Sequence, residues 1–243
     1  MQRFLKAIVA IMLMTAVCFA AGCTKPDEPN NGGNGGNSGS GTYNGHEYVD
    51  LGLPNGTLWA TCNVGATTPE DYGDYFAWGE TNPKSDYNWD TYMFCKGAGN
   101  QLTKYCNNED YGYNGFTDNL NKLLPDNDAA TTNWGSGWQM PTLEQWKELC
   151  QNTTSAWTIQ NNVGGCLFSA SNGRNLFIPA AGGYWGMESS FVGYGCLYGS
   201  SSLYSNPDCA WGFNYNSEAG YDVSSLYRCG GLSIRAVRSV HQK

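Results

Sequence analysis

Glycine and large aromatic rings crowd this chain together: 32 Gly stand among nine Trp, sixteen Tyr and nine Phe in 243 residues. Glycine weakens helix interiors and supplies the left-handed backbone of tight turns, whereas large rings need a packed surface to cover them. The combination predicts many short strands and turns around aromatic anchors and argues against an all-helical bundle. With 41% apolar residues, the chain is not disordered throughout. Its length fits a leader followed by one domain of about 200 residues. The formal charge is −8 with 13 basic residues, which form no cluster able to neutralise phosphates, so nucleic acid is excluded as a partner.

The first 23 residues read as an address. Arg3 and Lys6 precede an uncharged apolar run from Ala7 to Ala21, 15 residues long. That is short for a spanning helix and right for the core of a secretory signal. The run ends Phe19-Ala20-Ala21-Gly22-Cys23, which resembles a bacterial lipobox. Residues 1–22 are therefore expected to be removed and Cys23 to become the acylated N-terminus, held to a membrane by several acyl chains without a spanning helix. Removal takes two basic residues and no acidic one, leaving a net charge of −10. Lys25-Pro26-Asp27-Glu28 resembles the short Lys-plus-acidic signals that send some lipoproteins of the Bacteroides group to the outer face of the outer membrane. The expected location is thus the outer membrane, exposed at the cell surface. Residues 23–42 read as the acylated cysteine and a flexible Asn/Gly/Ser tether. The glycines at 32–36 form no phosphate loop, since no strand precedes them and no Gly-Lys-Ser/Thr follows.

Residues 43–243 form the expected domain. Glu47 to Leu51 alternates polar and apolar, meets a turn at Pro54-Asn55-Gly56 and continues from Thr57 to Val64, which predicts a hairpin. Tyr72, Tyr75, Phe76 and Trp78 are expected to line the core, and the polar stretch from Thr81 to Gly115 to form a long surface loop. Thr117-Asp118 predicts a short helix carrying Leu120, Leu123 and Leu124 and ended by Pro125. Thr142 and Gln145 form a capping box ahead of the stripe Leu143, Trp146, Leu149 and Cys150, which predicts a second helix. Strands are expected at Leu167–Ser169, Leu176–Pro179, Ala210–Asn214 and Leu232–Val237. The fold class is α+β, with short strands and two short helices.

Six ordered motifs carry a family resemblance: Tyr48-Val49-Asp50-Leu51-Gly52-Leu53-Pro54, Thr57 to Gly65, Tyr75-Phe76-Ala77-Trp78-Gly79-Glu80, Gly137-Trp138-Gln139-Met140-Pro141-Thr142, Phe177 to Gly182, and Ser233-Ile234-Arg235-Ala236-Val237-Arg238. Together they resemble the Fibrobacter succinogenes major paralogous domain family. The resemblance implies a C-type-lectin-like fold, related to that of formylglycine-generating enzymes, on a surface lipoprotein; it implies no particular chemistry. Domains of this lectin-like type also serve as targets of diversity-generating retroelements, which enrich Tyr, Ser, Asn, Asp, Phe, Cys, Leu and Gly near the C-terminus.

Candidates for catalysis are few. The two histidines, His46 and His241, stand at the ends of the domain and are expected to be solvated. No Cys-x-x-Cys and no helical His pair offers a zinc site. Asp126-Asn127-Asp128 is the densest oxygen cluster but lacks the glycine and glutamate of a calcium loop, and Glu28-Pro29-Asn30 falls in the tether. The expectation is no metal and no cofactor. Eight cysteines lie in the domain, and their pairing is open: Cys95 with Cys106 and Cys150 with Cys166 are local disulfide candidates, and buried thiols are the alternative.

From Ser189 to Cys229, 28 of 41 residues are Gly, Ser, Tyr, Asn, Asp or Cys, without Lys, Gln, Met or His. Such a segment is not expected to supply a large core; it resembles antibody binding loops, where Tyr gives contact area and Ser, Gly and Asn give adaptable hydrogen bonds. Turn-rich β structure with half-buried tyrosines is the plainer reading. The residues expected to face a protein or glycan ligand are Tyr194, Tyr198, Tyr204, Asn206, Asp208, Asn214, Tyr215, Tyr221, Asp222 and Tyr227. The expected function is non-enzymatic recognition by a tethered head, with a formylglycine-generating-type enzyme or a structural envelope protein as alternatives.

Overall fold

A computed structural model describes residues 39–240; the signal run, Cys23, most of the tether and His241 lie outside them. The tight turn at Asn44-Gly45, both with positive φ, folds β1 (Ser40–Tyr43) onto β2 (His46–Asp50), so regular structure begins three residues before the expected domain start. The predicted hairpin forms: β2 pairs antiparallel with β3 (Thr57–Ala60), placing Val49 opposite Trp59. β4 (Tyr75–Phe76) is brief.

Between β4 and a single helical turn at Tyr113–Gly115 the chain forms no strand or helix. It is not the surface loop expected from its polarity: Tyr87, Tyr92, Phe94, Leu102 and Tyr105 are all buried. The predicted helix after Thr117 is also absent. Asp118 does not cap a helix; its carboxylate accepts from the Tyr105, Cys106 and Leu120 amides, holding the segment irregular. The first helix is instead α1 (Ala129–Trp134), capped by Asp128, whose buried carboxylate also accepts the Met140 amide. The second, α2 (Leu143–Asn152), begins at the predicted Thr142 capping box.

β5 (Thr153–Gln160) and β6 (Val163–Ala170) are joined by Asn161-Asn162, both left-handed, and β6 pairs with β7 (Asn175–Pro179). β8 (Gly183–Trp185), β9 (Glu188–Ser190), β10 (Gly195–Leu203), β11 (Cys209–Asn216) and β12 (Gly220–Tyr227) follow. The predicted last strand is broken in two, β13 (Gly231–Ser233) and β14 (Val237–Ser239). The break is what lets the chain change sheets. β13 completes a seven-stranded sheet ordered β12-β11-β10-β13-β8-β9, with β4 also on β13, while β14 pairs with β3 in the sheet β1-β2-β3-β14. Strands β5, β6 and β7 form a third sheet. The architecture is a mostly β, α+β fold, and no helix of the described residues is long and apolar enough to cross a membrane.

Successive strand residues face opposite ways, so β10 and β11 present two different surfaces. Cys196, Tyr198, Phe213 and Tyr215 join a core with Trp59, Trp146, Phe168 and Ile178, where the Trp146 ring stacks on Phe213 at 4.6 Å. Leu203 and Ala210 join a second core with Trp78, Tyr105, Trp138 and Ile234. The tyrosine-and-serine segment therefore contributes to both cores, contrary to the expectation from its composition.

Two arginines are fully buried without a carboxylate partner. Arg228 donates to the Tyr92 hydroxyl (2.9 Å) and to the carbonyls of Tyr105 (3.0 Å), Pro207 (2.8 Å) and Lys104 (3.0 Å). Arg235 donates to Asn63 Oδ1 (2.8 Å) and to the Ala60 and Thr61 carbonyls.

Orphaning that many buried acceptors is costly, at roughly 1–3 kcal/mol each. Arg228→Ala is accordingly expected to lower stability by at least about 3 kcal/mol in urea unfolding, against about 1 kcal/mol for loss of the Thr142 cap in Thr142→Ala. An equal, small effect of both would show that the guanidinium is dispensable. A pH effect follows from His46, which is half-buried and stacks on Trp134 at 3.8 Å rather than standing in solvent as expected. Burial lowers its pKa below the usual 6.5. The unfolded chain therefore binds the proton more readily, and His46's contribution to stability is lost as pH falls through that value. His46→Phe, which keeps a ring on Trp134, should flatten the stability slope between about pH 5 and 7 in thermal melts.

Candidate functional site

The open end of the β10–β11 ribbon carries a groove of about 330 Å³, lined by Phe191, Tyr194, Gly195, Leu197, Asn214, Asn216, Ser217 and Glu218. Its floor is a set of cross-strand pairs: Leu197 opposite Asn214 and Gly195 opposite Asn216, all on the surface turned away from Tyr198 and Tyr215. Further along that same surface, Gly199 pairs with Gly212 and the second core covers the sheet. Toward the groove end the second core gives way to the groove lining, with Leu197 buried and Asn214 half-buried.

One wall is the loop between β9 and β10. The Phe191 carbonyl accepts from the Tyr194 and Gly195 amides (both 2.9 Å), and the Gly193 amide donates to the Ala180 carbonyl (2.8 Å). The Gly182 amide donates to the Gly195 carbonyl at 2.9 Å. Gly182 has no room for a side chain, since a Cβ there would lie 2.2 Å from the Ser190 carbonyl oxygen. These contacts fix the loop, yet Phe191 and Tyr194 are 64% and 77% exposed. Phe191 also has φ +62°, a left-handed conformation that a bulky residue rarely adopts. Gly195 leaves space beside the ring, because a Cβ there would approach Phe191 Cβ to 3.3 Å.

The facing wall is the turn between β11 and β12. Asn216 Oδ1 accepts from the Glu218 and Ala219 amides (3.0 and 2.7 Å), an Asx turn that presents Ser217 and Glu218 at the rim. No Lys or Arg lines the groove. The site thus combines two exposed rings, an apolar floor, two carboxamides, a hydroxyl and one carboxylate. Such a lining offers contact area and neutral hydrogen-bonding groups and no positive charge.

Of the ten residues expected to face a ligand, Tyr194 and Asn214 line the groove. Asp222, exposed, pairs with Asn214 on the next strand, and exposed Tyr221 pairs with Tyr215. Tyr204, Asn206, Asp208 and Tyr227 lie at the opposite end of β11, a strand of 8 residues whose ends are roughly 23 Å apart. There Tyr204 packs edge-on against Trp211 (4.6 Å) and Tyr227 against Trp89 (6.2 Å), while the Asn206 carbonyl accepts the Cys209 amide and the Asp208 carbonyl the Arg228 amide. Tyr198 and Tyr215 are corrections. Tyr198 is wholly buried, donating to the Pro179 carbonyl (2.8 Å) and accepting from Asn63 (3.0 Å); Tyr215 is buried and stacks parallel to Trp157 at 6.3 Å. Both point inward because their strand parity puts them beside Cys196 and Phe213. Phe191, Leu197, Asn216, Ser217 and Glu218 were missed, although the run Asn216-Ser217-Glu218-Ala219-Gly220 carries a turn signal.

The other chemical candidates are used structurally. Asn127 Oδ1 accepts from Lys104 and from the Tyr105 hydroxyl, and Asp128 caps α1. Among the described residues no three His, Cys, Asp or Glu side chains gather in a way that would hold a metal ion. All eight cysteines of the domain are free thiols, so neither local disulfide candidate is formed. Cys95 and Cys106 instead donate to the Trp89 and Asn108 carbonyls. Burial pushes the thiols of Cys150, Cys196, Cys209 and Cys229 up to about 12, which keeps them protonated at neutral pH.

No protein-family model, curated protein or solved structure matches the chain. The groove therefore has to be read from its own geometry.

Core and groove tyrosines separate in a simple experiment. Tyr198→Ala is expected to cost about 3–5 kcal/mol, a large aromatic deletion with two hydrogen bonds, whereas exposed Tyr194→Ala stays within about 0.5 kcal/mol. Chemical denaturation of both variants checks this; comparable losses would place Tyr194 in the core.

Proposed function

We propose that this chain is a cell-surface lipoprotein whose tethered head is a non-enzymatic recognition domain, binding a protein or glycan through the groove between the β9–β10 loop and the β11–β12 turn. The observation that carries the reading is the pair Phe191 and Tyr194, two large rings held in solvent by a loop hydrogen-bonded at the Phe191 carbonyl and at the Gly193, Tyr194 and Gly195 amides. Monomeric domains seldom fix exposed aromatic surface beside a concave polar site without using it. The lipobox-like run at Cys23 and the Asn/Gly/Ser tract support anchoring at the outer membrane through acyl chains. The C-type-lectin-like assignment is supported by the six motifs and by the closure of the domain through pairing of β3 with β14. A C-terminal surface altered by a diversity-generating retroelement accords with the side chains at the groove: Phe191, Tyr194, Leu197, Asn214, Asn216 and Ser217 all fall in that palette, and Glu218 does not.

The test is a glycan array and a displayed peptide library, probed with the head and two variants. Phe191→Ala/Tyr194→Ala/Asn214→Ala should lose retained ligands, while Tyr204→Ala/Asn206→Ala/Tyr227→Ala at the far end of the sheet keeps them. The opposite ranking, or binding indifferent to both, would move recognition away from the groove.

A further inference from the structure

The geometry points to a neutral oligosaccharide as the occupant of this groove, held by direct contacts without a bridging cation. This inference rests on the recognition reading above and narrows it to a ligand class.

Three features of the lining select that class. First, charge: Glu218 is the one ionisable acid among the lining residues, Asp222 stands exposed on the neighbouring strand, and from Ser189 to Tyr227 the sequence has no Lys or Arg. An anionic ligand, whether phosphate, nucleic acid or uronic-acid polymer, meets repulsion and no countercharge. Second, polar chemistry: Asn214 and Asn216 carboxamides each offer donors and an acceptor, Ser217 offers a hydroxyl, and Glu218 offers acceptors. Sugar hydroxyls both donate and accept, so this mixture matches them. An extended peptide would instead look for a row of backbone partners. Third, shape and surface: Phe191 and Tyr194 present flat apolar area at an open rim above the Leu197 floor. The C–H face of a pyranose ring packs against such surface while its equatorial hydroxyls reach the amides across the groove. The volume, about 330 Å³, sits at the small end of ligand sites, roughly 300–1,000 Å³, and the open rim accommodates a chain rather than a single enclosed unit.

The competing occupant is a cationic peptide attracted to Glu218 and Asp222. One carboxylate beside two carboxamides gives it a weak electrostatic claim at physiological salt, since both acids face solvent.

The experiment is calorimetric titration of the head, residues 23–243 with Cys23→Ser, against cellohexaose, mannohexaose, maltohexaose and laminarihexaose. Oligogalacturonate serves as the anionic control and a Lys/Tyr decapeptide pool as the cationic one. At least one neutral hexaose should bind with an affinity unchanged by a chelator, fall by about tenfold or more in Phe191→Ala/Tyr194→Ala and keep its affinity in 0.5 M salt, where the Debye length is only about 4 Å. Oligogalacturonate should not bind. Peptide binding that is lost in the same variant and in high salt, with no neutral sugar bound, overturns the glycan inference and leaves the recognition reading standing. No binding by any probe overturns both. Sugar binding abolished by the chelator overturns the direct-contact geometry.

Discussion

Arg228 carries much of the fold's irregular half. Its guanidinium lies under the Trp78 ring at 4.7 Å and the Tyr92 ring at 5.3 Å while donating to four oxygens from three different parts of the chain. A buried charge without a carboxylate would normally be expensive. Here the field of four acceptors and two π faces replaces the countercharge. The arrangement serves the segment before Tyr113, which has no ladder to satisfy its carbonyls yet must be buried to seal Trp78, Phe94 and Tyr105. An arginine reaching in from the end of β12 supplies the donors that regular structure would otherwise provide. Arg235 solves the same problem at the point where the chain leaves one sheet for another, binding the carbonyls just after β3.

With both halves fixed in this way, β10 and β11 become a rigid ribbon whose outer surface is written in two vocabularies. Where glycines pair, at Gly199 and Gly212, the surface is close-packed: a Cβ on Gly199 would meet the Met140 side chain at 3.2 Å, and one on Gly212 would meet Leu226 of the next strand at 2.5 Å and the Tyr198 carbonyl oxygen at 2.9 Å. Where Leu197 and Asn214 pair, the same surface carries side chains that line the groove, Leu197 buried and Asn214 half-buried. The change from glycine to amide along one pair of strands therefore sets the boundary between core and groove. The inner surface shows no such change: Cys196, Tyr198, Phe213 and Tyr215 continue beneath the groove against α2 and β6. The floor of the site is thus backed by packed aromatic rings, which holds Leu197 and Asn214 in register.

The parts of this structure legible in the sequence are those whose signals are local. The Thr142 capping box, the Pro54-Asn55-Gly56 hairpin and three of the four short strands, those within β6, β7 and β11, depend on residues within a turn or two of each other. What stayed hidden is what distant partners decide. Asp118 looked like a helix cap because Ser, Thr, Asp and Asn caps share one local signature, and only the Tyr105 and Cys106 amides reveal its real task. The polar stretch from Thr81 read as solvent-facing because its buried Tyr and Phe residues have no period; Arg228, more than a hundred residues on, accounts for their burial. Tyrosine caused the largest error. In a segment of Gly, Ser and Asn it looks like a contact residue everywhere, but on a strand its exposure follows parity: Tyr198 and Tyr215 face in and Tyr194, in the loop before the strand, faces out. Composition picks out the segment, and register alone divides it between core and groove.

Phe191 is the residue at which stability and the proposed recognition pull apart. A left-handed conformation costs a non-glycine residue on the order of 1–2 kcal/mol, and an exposed ring adds unburied apolar area to that cost. Glycine at that position would relieve both, as it does at Gly182, Gly186 and Gly193 around it, all with positive φ. The neighbouring positions show that the loop already uses glycine wherever geometry demands it. A phenylalanine placed among them is held by the two amide bonds to its carbonyl and by the tight fit of Gly182 under Ser190 and Val192. The backbone around it is over-determined, which is the condition under which strain persists. Its ring is consequently displayed at a fixed height over the Leu197 floor, and a ligand of the kind proposed would bind it without the ordering cost that a mobile aromatic loop incurs.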